Sequence, residues 1–114
     1  MAMIQRSGDM LTASGAGGIN EIQYAALLMM IAKVTGYEPG VFTHFVANEQ
    51  IYDRHMDNAQ EMLRRAVVMA NDTQKPVLVL KKDKGCQVVE ITIDDFEMVG
   101  YDPMKPQLKF ELGI

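Results

Sequence analysis

The sequence predicts an α+β protein with two principal helices among four or five short strands. One segment spaces its apolar residues at intervals of three and four, as a helix with a buried face does, and an earlier segment is apolar on nearly all sides, as a central helix is. The other apolar segments are short, rich in β-branched and aromatic residues, and bounded by glycine or proline, which is typical of strands. The 114 residues, 48% of them hydrophobic, suffice for one core, so we expect a single domain over residues 1–114.

The first helix is predicted to begin after a glycine-rich loop. The run of small residues at 13–18 has too little side chain to stabilise a helix or a strand. Asn20 follows as an N-cap, and Gln23 stands three positions later as in a capping box. Apolar residues occur on nearly all sides between Tyr24 and Val34, which predicts a central helix, and Gly36 predicts its end.

A strand and the second helix are predicted next. The segment from Val41 to Tyr52 is rich in β-branched and aromatic residues, which favours an extended conformation. A helix is expected from Asp53 or Met56 to Ala70, because its apolar residues recur every three or four positions. The residues predicted to face the core are Met56, Ala59, Leu63, Ala66 and Val67.

The last third of the chain is predicted to be extended. Pro76 opens a strand over 77–80, a turn follows at 82–85, and alternating apolar residues over 87–93 predict the partner strand. A further short extended piece is expected between 94 and 103, and a final one from Leu108 to Ile114. Together with the two helices, these strands give the α+β class.

Charge and composition exclude several functional classes. Eleven cationic residues against fifteen acidic ones give a net charge of -4, whereas a general nucleic-acid binder needs a basic face. The longest apolar run, from Tyr24 to Ala32, is too short to cross a bilayer, which takes about 20 residues. Cys86 is the only cysteine, which favours a reducing compartment. We therefore predict a cytoplasmic protein that binds neither nucleic acid nor membrane.

Composition alone leaves the functional residues open. Arg6 next to Ser7 offers donors for a phosphate or carboxylate, but a surface arginine paired with Asp9 explains the same residues. The glycine-rich loop has neither a dinucleotide fingerprint nor a Walker spacing. His44 and His55 lack a third partner at metal-ligand spacing, so no metal site is predicted. His44, within an apolar strand, is expected to be a satisfied core or interface residue.

The order of five short motifs is more informative than any one of them. In chain order they are Gln5-Arg6-Ser7-x-Asp9, Asn20-x-x-x-Tyr24-Ala25-x-Leu27, Gly36-x-x-Pro39-Gly40, Ile51-Tyr52-x-x-His55 and Asp95-Phe96-x-x-x-Gly100-Tyr101-Asp102-Pro103. With these motifs in register, the chain resembles the carboxy-terminal part of the thymidylate synthase family. The resemblance implies the corresponding part of that fold, a mixed or antiparallel sheet with two principal helices.

The resemblance also implies an activity and a set of site residues. The family converts dUMP and the cosubstrate 5,10-methylenetetrahydrofolate to dTMP and dihydrofolate, after a cysteine thiolate adds to the uracil ring. Members of the family hold the phosphate with the arginine and serine of the first motif and read the uracil edge with the asparagine. The implied nucleotide contacts are Gln5, Arg6, Ser7, Gly8, Asp9, Asn20, Gln50 and Tyr52, and the implied folate contacts are Asp9 and Gly113.

Two departures from the family pattern qualify this interpretation. The family's nucleophilic cysteine lies upstream of the Gln-Arg-Ser motif, and only four residues precede Gln5 here. We therefore expect that this chain alone is inactive and that a missing N-terminal portion supplies the nucleophile. Gln50 stands where the family usually has histidine; its amide can bond a ribose hydroxyl but does not titrate near neutral pH.

Two alternatives stay open beside a methyltransferase fragment. The first alternative is a non-catalytic module that uses the same scaffold for nucleotide binding or assembly, and the second is a fragment of a dCMP hydroxymethylase. Hydroxymethylase relatives carry aspartate at the uracil-reading position, so Asn20 favours uracil. Because the family is homodimeric, the resemblance also implies a homo-oligomer.

Overall fold

The computed structural model describes residues 1–11, 18–69 and 75–111, and its elements confirm the α+β class. Single turns of 3-10 helix lie at Asp53–His55, Val88–Glu90 and Ile93–Asp95. The remaining elements, in chain order, are β1 (Ala2–Gln5), β2 (Gly8–Asp9), α1 (Ile19–Thr35), β3 (Thr43–Val46), β4 (Glu49–Gln50), α2 (Met56–Met69), β5 (Val77–Leu80) and β6 (Phe96–Val99).

The strands described form three separate pairs, where the sequence predicted one mixed or antiparallel sheet. β1 pairs with β3 and β2 with β4, both in parallel, whereas β5 and β6 are antiparallel. The segment from Val41 to Tyr52, predicted as one strand, is thus divided into β3 and β4. A parallel pair needs a long crossover connection, and α1 supplies it between β1–β2 and β3–β4.

The start of α1 differs from the prediction and its end agrees with it. Gly18, with φ of 65°, precedes the helix, and no side chain caps it. Asn20 is no N-cap because it lies within the first turn and donates its side-chain N–H to Gln5 instead. At the other end Gly36 adopts φ of 78°, a left-handed conformation that glycine reaches without strain, and its N–H donates to the carbonyl of Lys33.

α1 is not enclosed by the residues that the structure describes. The prediction of a central helix came from its apolar composition, yet Ala32 is the residue of this helix that is buried. Ile22, Leu27 and Ile31 expose between 40% and 48% of their surface. No helix within the described ranges is both long enough and apolar enough to cross a membrane.

α2 begins where the sequence predicted but packs with a different face. A turn of 3-10 helix at Asp53–His55 leads into it, and of the five predicted core residues Ala59 alone is buried. Leu63 and Val67 are exposed. The segment 104–111 lies instead on the polar face, because its backbone carbonyls accept hydrogen bonds from polar side chains there.

The predicted hairpin partner of β5 was wrong. Residues 87–95 contain two 3-10 turns instead, and each is closed by a carboxylate that accepts the backbone N–H of the residue three positions earlier. Glu90 accepts from Gln87 at 2.9 Å, and Asp95 accepts from Thr92 at 2.7 Å. The chain then returns to β5 as β6, within the extended piece predicted after residue 94. Residues 108–111 form no strand, and 112–114 lie outside the described residues.

Candidate functional site

A break between two parallel strand pairs exposes Arg6 and Ser7. β1 ends at Gln5, whose carbonyl accepts the N–H of Ala47 at 2.9 Å, and β2 begins at Gly8, whose N–H donates to the carbonyl of Asn48 at 3.1 Å. Arg6 and Ser7 therefore belong to neither strand pair. The Arg6 side chain is exposed and Ser7 is half-buried, so both are accessible at the end of β1.

Gln5 connects this break to the start of α1. Its side-chain Nε2 donates to the backbone carbonyl of Ser7 at 2.8 Å. Its Oε1 accepts a hydrogen bond from Asn20 Nδ2 at 3.2 Å. Three of the predicted nucleotide contacts, which lie in two motifs of the sequence, are therefore joined in one hydrogen-bonded group.

A second group of predicted residues is held by the β2–β4 pair. Asp9 stands opposite Gln50 in the register, and the Gln50 carbonyl accepts the N–H of Met10 at 3.0 Å. Asp9 is partly buried, and its Oδ1 accepts the N–H of Leu11 at 3.2 Å. Gly8 lies beside Asp9 in the same strand, so this group directly follows the Arg6–Ser7 break.

Tyr52 is less well connected to these groups among the residues that the structure describes. The Tyr52 ring packs edge-on against His55, with ring centroids 5.6 Å apart, and within residues 1–11, 18–69 and 75–111 no hydrogen bond joins Tyr52 to Asn20. Gly113 lies outside the described residues. The hollow at the C-terminal end of α2, between Met69 and residues 102–105, contains none of the predicted contacts.

Glu21 also belongs to the first group, although no pattern in the sequence indicated it or any partner for His44. His44 Nδ1 lies 2.7 Å from Glu21 Oε1, and His44 Nε2 lies 3.1 Å from Gln5 Oε1. The His44 side chain is only 11% exposed and both of its ring nitrogens have partners, so it is the satisfied residue that was predicted. The alternation of β3 could have placed His44 on the inner face, but only the β1–β3 register brings it opposite Met3 and next to Gln5.

Cys86 lies far from this site, near the other end of α1. Among the residues described, no group of three or more His, Cys, Asp or Glu side chains could hold a metal ion. Cys86 follows Gly85, whose N–H donates to the carbonyl of Lys33 in the last turn of α1. Asn20 lies in the first turn of that helix, about 20 Å away at 1.5 Å of rise per residue.

Known proteins match nearly the whole of this chain in sequence. The profile of the family described as thymidylate synthase matches residues 1–114. Thymidylate synthase of Streptococcus pneumoniae strain 70585 is 47% identical over 112 residues, covering 98% of this chain and 38% of the relative. That of Streptococcus pyogenes serotype M5 is 47% identical over 113 residues, with 99% and 38% coverage.

A solved structure is similar as well. Thermostable thymidylate synthase A from Bacillus subtilis aligns with a TM-score of 0.76 and 33% identity, covering 96% of this chain and 36% of the other. The chain therefore spans a little over a third of the length of the relatives that it matches.

Proposed function

The chain belongs to the thymidylate synthase family, and from that premise we propose that it supplies dUMP and folate contacts to a thymidylate synthase-like methyltransferase. The reaction would convert dUMP and 5,10-methylenetetrahydrofolate to dTMP and dihydrofolate. The observation that carries the proposal is the 3.2 Å hydrogen bond between Asn20 Nδ2 and Gln5 Oε1. It holds the phosphate motif and the base-reading amide in one group.

Arg6 and Ser7 would bind the phosphate of dUMP. Within the described ranges, no ion pair or hydrogen bond occupies the exposed Arg6 guanidinium. A guanidinium can place two parallel N–H donors on a phosphate, and the neighbouring Ser7 hydroxyl adds a third. This local pairing works despite the net charge of -4, because charge-assisted hydrogen bonds act at contact distance.

Asn20, Gln50 and Tyr52 would bind the nucleoside. An asparagine amide can donate to O4 of uracil and accept from N3–H. Asn20 uses one Nδ2 hydrogen on Gln5, which leaves the second for O4. The Gln50 amide and the Tyr52 hydroxyl would share the ribose 3′-hydroxyl, as β4 and the turn after it hold these residues two positions apart.

Asp9 would bind the folate cosubstrate. Its carboxylate is partly buried and already accepts the N–H of Leu11 through Oδ1. A carboxylate presents about four acceptor positions, so it can also take N–H groups of a pterin ring. Gly113 is proposed to contact the folate as well, by its place in the family pattern.

We propose that the 114 residues do not turn over dUMP without a nucleophile from elsewhere. The single thiol, Cys86, lies near the opposite end of α1 from Asn20, about 20 Å away by helix rise, and covalent addition to a base needs contact. A purified chain given dUMP and methylenetetrahydrofolate should therefore form no dTMP. Detectable turnover by this chain would contradict this part of the proposal.

The proposed partner is the portion of a thymidylate synthase that these residues do not include. α1 exposes several large apolar side chains, among them Ile22, Leu27 and Ile31, and exposed apolar surface of this kind marks an interaction site. Self-association through the same surface is the second expectation. Light scattering on the purified chain should give a mass above that of one chain, and a monomer at all concentrations would argue against it.

Nucleotide binding is tested by calorimetric titration with dUMP. We expect weak binding by the wild-type chain and a loss of roughly 10- to 100-fold in Arg6→Ala, since a charged hydrogen bond contributes about 1.5–3 kcal/mol. Arg64→Ala is the matched control, because Arg64 is an exposed arginine on α2. Equal affinity in Arg6→Ala and Arg64→Ala, or no binding by the wild-type chain, would refute the proposed site.

A further inference from the structure

A chain of side-chain hydrogen bonds extends beyond the predicted nucleotide contacts. Glu21 Oε1 lies 2.7 Å from His44 Nδ1, and His44 Nε2 lies 3.1 Å from Gln5 Oε1. The same Gln5 oxygen accepts from Asn20 Nδ2 at 3.2 Å. The chain thus leads from an ionisable pair, with side-chain exposures of 11% for His44 and 26% for Glu21, to the amide proposed to read the base.

One backbone group fixes the direction of the hydrogen bonds that Gln5 makes in this chain. The carbonyl of Ser7 can only accept, so the Gln5 atom that faces it at 2.8 Å must be Nε2. Gln5 therefore turns its oxygen toward His44 and Asn20. It follows that His44 presents Nε2–H and that Asn20 presents its NH2 group to Gln5. The 2.7 Å distance between His44 Nδ1 and Glu21 Oε1 adds Glu21 to the same group.

The orientation of the Asn20 amide decides which pyrimidine it matches. Uracil offers the N3–H donor and the O4 acceptor, whereas cytosine offers an N3 acceptor and an N4 amino donor. An asparagine amide complements either base, and a flip exchanges one pattern for the other. Gln5 opposes such a flip, because it would bring the Asn20 carbonyl against the Gln5 carbonyl.

We propose that His44 and Glu21 form a positioning pair that holds the Asn20 amide in the orientation complementary to uracil. Neither residue needs to touch the nucleotide. His44 anchors the Gln5 oxygen, and Glu21 anchors the His44 ring, so the preference for uridine over cytidine nucleotides depends on both. This inference rests on the proposed function, since it assumes that Asn20 reads the base.

The test compares dUMP and dCMP affinities by titration in matched variants. His44→Ala removes the donor to Gln5, and Glu21→Ala removes the carboxylate from the ring. His44→Gln is the rescue, because a glutamine Nε2 can replace the ring Nε2–H as donor. Glu97→Ala is the control, because Glu97 lies on β6 and pairs with Lys81, outside this group of side chains. Circular dichroism establishes that each variant is folded.

We expect the dUMP-to-dCMP affinity ratio to fall about tenfold in His44→Ala and Glu21→Ala, the value of one hydrogen bond. The ratio should stay near the wild-type value in His44→Gln and Glu97→Ala. A folded His44→Ala or Glu21→Ala with the wild-type ratio would overturn the proposal. If one of the two alanine variants does not fold, the other decides the outcome.

A ligand-free measurement separates this inference from the proposed function. Side-chain amide NMR signals of Asn20 and Gln5 should exchange slowly with water in the wild-type chain and faster in His44→Ala. Unchanged exchange in that variant would overturn the positioning role even without nucleotide. Wild-type chain that binds neither nucleotide would refute the proposed function, and the exchange rates would still decide whether His44 holds the two amides.

Discussion

His44 and His55 each join segments that are distant in the sequence, but they use different chemistry. His44 bonds two side chains, Glu21 and Gln5, through its two ring nitrogens. His55 is only 2% exposed, and its Nε2 lies 2.9 Å from the backbone carbonyl of Glu111. Contacts between side chains depend on the identity of both residues, whereas a backbone carbonyl is present at every position. The contacts of His44 are thus suited to specificity, and the contact of His55 is suited to attaching the segment 104–111 to the rest of the fold.

The His55 region comprises the face of α2 that binds the segment 104–111. Besides His55, Asn58 donates to the carbonyl of Lys109 at 2.8 Å. Arg65 donates to the carbonyl of Pro106 at 2.8 Å. His55 stands in the turn just before α2, and Asn58 and Arg65 lie on α2, so the start of the helix and one of its faces hold the segment together.

The largest effect is expected from His55→Ala. The change removes a buried ring that packs between Tyr52 and Phe110, and it leaves the Glu111 carbonyl without its imidazole partner. We expect a loss of about 3 kcal/mol in the free energy of unfolding, measured by urea denaturation. His44→Ala should lose less, because water can reach its partially exposed partners. A greater loss in His44→Ala would reverse the comparison between the two regions.

A smaller effect is expected from Arg65→Met, which keeps the apolar stem but removes the guanidinium. Arg65 is 13% exposed and bonds Glu61 as well as backbone carbonyls of the segment 104–111. The free energy of unfolding should therefore fall by about 2 kcal/mol. Arg64→Met is the matched control, because Arg64 bonds Glu61 but is 63% exposed. It should change stability by about 0.5 kcal/mol or less. Equal losses in the two variants would show that the bonds to the carbonyls of 104–111 contribute nothing to stability.

A still smaller effect is expected from Asn58→Ala. The lost bond to the Lys109 carbonyl is exposed, so water replaces it at a cost of about 0.5–1 kcal/mol. Thermal unfolding followed by circular dichroism measures the change, with Gln60→Ala as the control at an exposed position of the same helix. Identical melting temperatures in the two variants would show that Asn58 does not help to hold the segment 104–111.

The smallest effect is the loss of stability at low pH that the Glu61 carboxylate causes. Hydrogen bonds from Arg64, and then from Arg65, lower the pKa of Glu61 from 4.5 to about 2. A lowered folded-state pKa adds stability that is present above the unfolded value of 4.5 and is lost as pH falls toward about 2. Because solvent reaches this partly exposed carboxylate and screens its charge, the contribution is small. Urea midpoints between pH 6 and pH 2 should fall less steeply in Glu61→Gln, and an identical slope in wild-type chain would contradict the pairing.

Local signals in the sequence predicted the ends of elements well. Gly36 ends α1 in the left-handed conformation expected of it, and β5 follows directly after Pro76. The second helix begins at the predicted Met56 after a 3-10 turn from Asp53. Each of these boundaries depends on backbone preferences of a few adjacent residues, which the sequence states directly.

The partner of β5 was missed although its signals are local. The alternation of apolar residues over 87–93 matches a strand, but two capping boxes interrupt it, one between Gln87 and Glu90 and one between Thr92 and Asp95. Side-chain carboxylates that satisfy backbone N–H groups compete with strand pairing there. Weighing those pairs against the alternation would have favoured turns.

The site was only partly predictable, for a physical reason. The motif order pointed to Gln5 and Asn20, and the structure joins them directly. The link from Glu21 to His44 spans 23 residues and depends on the register of β1 with β3, which no local pattern encodes. The attachment of 104–111 to α2 was not predictable either, because its acceptors are backbone carbonyls and carry no side-chain signature.

The equal register of the two parallel strand pairs has a consequence for insertions and deletions. Ala2 pairs with Thr43 and Gly8 with Glu49, an offset of 41 positions in both cases. A residue inserted into the connection at 37–42 shifts both pairs together and can be absorbed as a longer loop. A residue inserted between Gln5 and Gly8 makes the two offsets unequal, so one ladder must slip or the break that presents Arg6 must widen. Length variation should therefore be accepted after α1 and rejected before β2.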